Sequence, residues 1–200
     1  MKLYRPATVL VGVLFVLLGG LTRLATPDQV YNDESNLITV HGTVGARLKF
    51  GDSTFEVTRM KFAKTYLESS AGDDDKPIET NGVYVALEWD TVRGTKDPTS
   101  VDATLTADGG TVYTPVGGTT GAQVTFGEPG FGTTGAVLFE VNPSDVKGLT
   151  LHLRPTMFYN VLWKVVDVDL GIPSEKVVQQ LVDGAADQYV MPKTVQRVAE

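Results

Sequence analysis

The apolar residues of this chain fall into two regimes. Between Arg5 and Arg23 lie 17 residues without a charge, mostly Val, Leu and Gly. From about Leu37 the pattern changes to short runs in which apolar and polar side chains alternate, as in strands buried on one face. Phe55 and Val57 alternate, then Met60 and Phe62 continue on the other parity, which predicts a bulge near Thr58. Val83, Val85, Leu87 and Trp89 alternate with Tyr84, Ala86, Glu88 and Asp90. Val101, Ala103, Leu105 and Ala107 alternate with Asp102, Thr104 and Thr106, and Asp108-Gly109-Gly110 then turns the chain into Thr111 to Val116. Val137, Phe139 and Val141 follow, then Leu149, Leu151 and Leu153, then Val161, Trp163 and Val165 with a parity switch into Val166, Val168 and Leu170.

About seven short strands with no long helical pattern between them predict an antiparallel sandwich rather than an α/β sheet. Trp89, Phe139 and Trp163 are its expected core anchors. Residues 117–135, rich in Gly and Thr, read as a long crossing loop. After Pro173 the period becomes helical. Ser174 can cap a helix, Glu175 suits its first turn, and Val177, Val178, Leu181, Val182 and Ala185 form one stripe.

The uncharged N-terminal run is near the short end of a spanning helix, roughly 17–25 residues. Lys2 and Arg5 ahead of it favour a cytoplasmic start. A cleaved signal peptide competes with this reading. A cut after Ala25 puts Arg23 at the −3 position, and a cut after Thr22 relies on Gly20 and Thr22, so an uncleaved anchor is favoured. The expected organisation is a signal-anchor transmembrane helix over 1–25, a linker over 26–36, a β-sandwich over 37–172, and an amphipathic helix with a tail over 173–200. The expected location is the bacterial cell membrane, with one pass and the sandwich outside the cell.

Charge and composition narrow the chemistry. The chain has no cysteine, so disulfides, thiolate metal sites and thiol nucleophiles are excluded. Net charge is −7, and without Lys2, Arg5 and Arg23 the remainder carries 14 basic and 24 acidic residues, a net −10. Such a body is repelled by phosphate backbones, so nucleic acid is not an expected partner.

Candidate sites are few. His41 and His152 are the only histidines, and His152 alternates with Leu151 and Leu153, which places it on the outer face of a strand. Gly51-Asp52-Ser53 resembles an esterase nucleophile motif but sits in a hairpin-type turn, not at a strand-to-helix elbow. The adjacent carboxylates Asp73, Asp74 and Asp75 are a candidate calcium site, set against a solvated acidic loop. Asp167 and Asp169 project from one strand face as a second candidate, able to pair with Lys164 or to face water. Phe126 and Phe131 flank a glycine-rich turn and are candidate interaction residues, as are Val178 and Leu181 on the helix stripe. For the phenylalanines the competing reading is packing over an end of the sandwich. No cofactor and no enzymatic activity is expected.

Several segments resemble one family. They are Phe55 to Met60 (Phe-Glu-Val-Thr-Arg-Met), Gly82 to Trp89, Leu105 to Tyr113 around Asp108-Gly109-Gly110, Pro129-Gly130, Gly135 to Val141, and Pro143. Over roughly residues 44–155 the chain is similar to the bacterial extracytoplasmic immunoglobulin-like domain of unknown function, the telomeric-repeat-binding-factor-like type found in Gram-positive lipoproteins and membrane proteins. The resemblance implies an immunoglobulin-like all-β sandwich outside the cell, without an established activity and without functional residues to transfer. The chain departs from that family in lacking a lipid-bearing Cys and in its C-terminal tail. The function expected is a membrane-anchored interaction module that binds another envelope protein. The alternatives are an extracytoplasmic binder of a small ligand or calcium and, last, an envelope hydrolase.

Overall fold

The computed structural model describes residues 38–68, 72, 75–95, 98, 100–116, 123–155 and 164–199. Twelve strands and one α-helix are found among them. The strands are β1 (Ile38–Thr43), β2 (Leu48–Phe50), β3 (Ser53–Leu67), β4 (Ile78–Val92), β5 (Ser100–Thr106) and β6 (Val112–Tyr113). They continue as β7 (Gln123–Thr125), β8 (Phe131–Val141), β9 (Thr150–Pro155), β10 (Lys164–Asp169), β11 (Tyr189–Val190) and β12 (Val195–Val198). The helix α1 spans Glu175–Asp183.

The strands form two sheets. Sheet A runs β1-β10-β9-β5-β6, with β7 also on β5. Sheet B runs β11-β3-β4-β8-β12, with β2 also on β3. The alternation explains the packing between them. Val83, Val85, Leu87 and Trp89 of β4, with Phe55 and Val57 of β3 and Val137 and Phe139 of β8, enter one core with Ala103, Leu105, Leu151, Leu153, Val166 and Val168 of sheet A. Burying these alternate faces against each other removes both from water, the dominant favourable contribution to folding. The bulge expected near Thr58 is present, since Val57 pairs with Trp89 but Arg59 pairs with Glu88. Trp89 lies over its cross-strand partner Gly135, where an added Cβ would come within 2.5 Å of the indole. Buried Thr91 of β4 ties the sheets together, its Oγ1 donating to the Thr125 carbonyl of β7 at 2.9 Å.

The expected fold class is corrected in two respects. Among the described residues no helix is long and apolar enough to cross a membrane. No spanning helix is part of the described architecture, and the segments expected as anchor and linker, 1–25 and 26–36, lie outside the described residues. The sandwich is also not wholly antiparallel. β1 pairs with β10, and β11 with β3, in parallel register. Parallel neighbours need a long crossover, and each of these pairs joins strands from opposite ends of the domain.

Smaller corrections follow the chain. The expected crossing loop of 117–135 contains β7 and the start of β8. The tail, expected to hold a helix and an extension, adds β11 and β12 to opposite edges of sheet B. Trp163, expected in the core, lies outside the described residues. Helix α1 begins at the expected Ser174, whose side chain makes no capping hydrogen bond, and ends at Gly184. It packs on its own domain, with Val178 and Ala185 in the core and Val177, Leu181 and Val182 against it.

Sheet B also carries a small apolar cluster on its outward face. Ala63, Tyr66, Tyr84, Ala86, Ala136 and Leu138 meet Tyr189 from β11, with Val116 and Met191 at the margin. The Tyr66 and Tyr84 rings touch edge to face at 5.0 Å, a favoured aromatic geometry.

Candidate functional site

The outward face of sheet A brings together residues far apart in sequence. His41 of β1 lies opposite Asp167 of β10, Asp167 lies opposite His152 of β9, and His152 lies opposite Thr104 of β5. Both histidines of the chain thus flank one carboxylate. His152 Nδ1 is 2.7 Å from Asp167 Oδ1, and His41 Nδ1 is 3.9 Å from Asp167 Oδ2. The Asp167 side chain is 22% exposed and that of His152 25%, whereas that of His41 is 76% exposed. A carboxylate bonded to Nδ1 of an imidazole fixes the ring orientation and leaves Nε2 to other partners.

Asp169 shares the face of Asp167 but serves its own turn, accepting from the Gly171 N–H at 2.8 Å. The two carboxylates named as a candidate metal pair are thereby used separately, and Asp167 is partnered by histidines, neither by Lys164 nor by water alone. Of the acidic run, Asp73 and Asp74 lie outside the described residues. Asp75 is exposed, and its carboxylate accepts from the Gly72 N–H at 2.6 Å. Among the described residues no group of three or more His, Asp or Glu side chains is arranged to hold a metal ion.

The turn Gly51-Asp52-Ser53 is a fastener. Asp52 Oδ2 accepts from the N–H and hydroxyl of Thr95, both at 2.8 Å, and Ser53 Oγ accepts from the Gly94 N–H at 3.0 Å. Ser53 is fully buried, so its hydroxyl is withdrawn from solvent.

The expected interaction residues are placed differently from one another. Phe126 is buried against Phe50, with ring centroids 6.1 Å apart, and Val178 is buried under the helix. Neither offers a free surface, which corrects their reading as interaction residues. Phe131 and Leu181 are half-buried. Exposed apolar side chains that were missed include Ile38, Ile78, Val112 and Val190, each alone on its strand, and the pair Val195 and Val198 on β12, 55% and 71% exposed. The signal of that pair was faint, two valines in a polar four-residue run. β12 pairs with β8 along one side and closes sheet B.

Around the outer cluster of sheet B, Glu88 meets Lys61 at 2.7 Å and Arg59 at 3.6 Å, and Lys61 lies over the Tyr189 ring. Burial pushes the Tyr189 phenol up, with Glu88 beside it acting in the same direction.

No family model and no curated protein matches the chain. Among solved structures it is similar to the yjhA protein from Bacillus subtilis, at 16% identity and a TM-score of 0.44, over 64% of this chain and 99% of that one. It is also similar to an uncharacterised β-sandwich protein from Clostridium difficile 630, at 11% identity and a TM-score of 0.41, over 71% of this chain and 99% of that one.

Proposed function

We propose that the chain is a non-enzymatic β-sandwich interaction module that binds another protein, taking up an extended segment of that partner beside β12. One observation carries this reading: an edge strand whose side chains are all exposed and include Val195 and Val198. An exposed strand edge offers a row of backbone donors and acceptors for strand addition, and alternate side chains supply selectivity. The net charge of −7 favours a neutral or basic partner segment. The resemblance to an extracytoplasmic immunoglobulin-like family without established activity belongs to the same reading. So does the use of Ser53 and Asp52 as structural fasteners, which leaves the one esterase-like motif without a free hydroxyl.

The test compares the full chain with a Val195→Lys, Val198→Lys double variant. Both side chains face water, so the variant should melt within about 2 °C of the parent, because surface changes away from special features alter stability little. A protein that co-purifies in defined stoichiometry with the parent should be lost from the variant. Retention of the same protein would refute the assignment to β12.

A further inference from the structure

Strand β4 breaks its pairing at Thr80-Asn81-Gly82. Between two paired positions β3 runs from Ala63 to Thr65 while β4 runs from Tyr84 to Glu79, and β8 pairs with β4 only from Val83 onward. The three residues therefore bulge out of both ladders, and bulges of this kind re-aim side chains. Asn81 is exposed there. We propose that Asn81-Gly82 is a self-modifying site, in which the Gly82 nitrogen closes on the Asn81 carboxamide and the asparagine loses ammonia through a succinimide.

Two observations carry it. Gly82 has to be glycine, because a Cβ there would lie 2.5 Å from the Val141 carbonyl oxygen of β8, a backbone atom that cannot yield. The residue after Asn81 thus has no side chain to hinder attack by its nitrogen. The second observation is a proton path. The Gly82 N–H donates to Thr80 Oγ1 at 2.8 Å, and the Thr80 hydroxyl donates to the Glu140 carboxylate. An amide nitrogen attacks only as its proton leaves, and a carboxylate reached through one hydroxyl is placed to take that proton as a general base. Nucleophile and electrophile are neighbours in the chain, so no entropy is lost in bringing them together.

The step needs only the chain and water. The Gly82 N–H proton passes to Thr80 Oγ1 as the Thr80 hydroxyl proton passes to Glu140. The bond from Gly82 N to Asn81 Cγ forms, the Cγ–Nδ2 bond breaks, and Nδ2 leaves as ammonia with the proton that Glu140 returns. Water then opens the ring. Opening at the side-chain carbonyl leaves an aspartyl residue, and opening at the main-chain carbonyl leaves an isoaspartyl linkage that routes the backbone through Cβ. Either product adds a negative charge next to Thr80 and its partner Glu140. The isoaspartyl product also lengthens the backbone where Gly82 is pressed against Val141. It thereby loosens the end of β4 whose Glu79 carbonyl accepts from the Tyr84 hydroxyl at 3.3 Å.

The experiment incubates the purified full chain at neutral pH and follows residue 81 by peptide mass spectrometry. Isoaspartate methyltransferase with a labelled methyl donor reports the isoaspartyl product. The parent should gain the mass of one amide-to-acid conversion at Asn81, and should convert faster folded than in urea, where the proton path is gone. Thr80→Val and Glu140→Gln should each slow conversion roughly 10-fold or more, a modest share of what a positioned general base contributes. Thr80→Ser keeps the hydroxyl and should convert at close to the parent rate, which guards against a folding artefact. An Asn81 that stays intact while a free Asn-Gly peptide converts beside it would overturn the proposal. So would conversion that is no slower in Thr80→Val and Glu140→Gln. Faster conversion in urea than in the folded chain would count equally against it, because the hydrogen bond to Thr80 would then be a lock on the nitrogen.

Discussion

Arg197 of β12 reaches Asp90 of β4 by lying across Gly132 of the strand between them. The guanidinium bonds the Asp90 carboxylate, and a Cβ added at Gly132 would come within 2.8 Å of Arg197 Nη1. The edge strand that exposes two valines is therefore fastened by one charge pair over one glycine. Gly132→Val should displace the arginine and loosen β12 without unfolding the sandwich. Hydrogen exchange should show faster exchange across 195–198 and little change in β4. Arg197→Ala leaves the mostly buried Asp90 carboxylate without its partner and should cost about 1–3 kcal/mol. Global unfolding by either variant would mean that β12 belongs to the core.

The packing of Trp89 on Gly135 gives a second prediction. Trp89 is buried and its Nε1 has no hydrogen-bond partner. Trp89→Ala should cost roughly 3–5 kcal/mol, as for truncating other buried aromatics. Trp89→Phe loses volume but also removes a buried unpaired N–H, so its cost in denaturant unfolding should be well below that of alanine. Gly135→Ala should be destabilising despite its size, because its methyl group meets the indole. If Trp89→Ala were nearly neutral, the inward face of β4 would be misassigned.

Helix α1 is held by its own domain. Val178→Asp places a carboxylate among Leu and Val side chains and should cost roughly 2–4 kcal/mol. In a domain of this size that lowers the melting temperature by about 5–15 °C. Gln180→Asp, at an exposed position of the same helix, should leave it almost unchanged. Equal melting of the two variants would show that the helix does not contribute to the fold.

Period-2 alternation made the sandwich legible, because each strand of the core must turn one parity inward. Val83 to Trp89 and Leu149 to Leu153 could be assigned to faces residue by residue. Even the bulge at Thr58 announced itself as a change of parity. Pairing was not legible, because alternation says which face a residue takes and nothing about which strand lies beside it. His152 could be placed outward, but its meeting with His41 depends on β1 and β9 flanking β10 in one register. The short tail strands were hidden for another reason. Tyr189-Val190 is too short to show a period, and its role comes from the Tyr66 and Tyr84 surface that it covers.

That cover yields a prediction about alkaline pH. The four tyrosines among the described residues, Tyr66, Tyr84, Tyr113 and Tyr189, are all pushed above the ordinary phenol value. Burial is the leading cause in each. Glu68 and Glu140 add to it at Tyr66, Glu140 at Tyr84, and a hydrogen bond to Asp145 at Tyr113. A phenol whose folded pKa lies above its unfolded value of about 10 stabilises the fold fully below that pH. The contribution is lost as pH rises through the higher folded value, because the fold must then hold a phenolate or open. Stability measured by urea should therefore be flat with respect to these groups up to about pH 10 and fall above it. Tyrosinate absorbance near 295 nm should show a late step from these four phenols, coinciding with unfolding. Tyr189→Phe removes the most strongly shifted phenol and should soften the alkaline decline while keeping the aromatic cover over Tyr66 and Tyr84. If Tyr66, Tyr84 and Tyr189 titrated near pH 10 with the sandwich intact, the outer cluster would be open to water and β11 would not cover it.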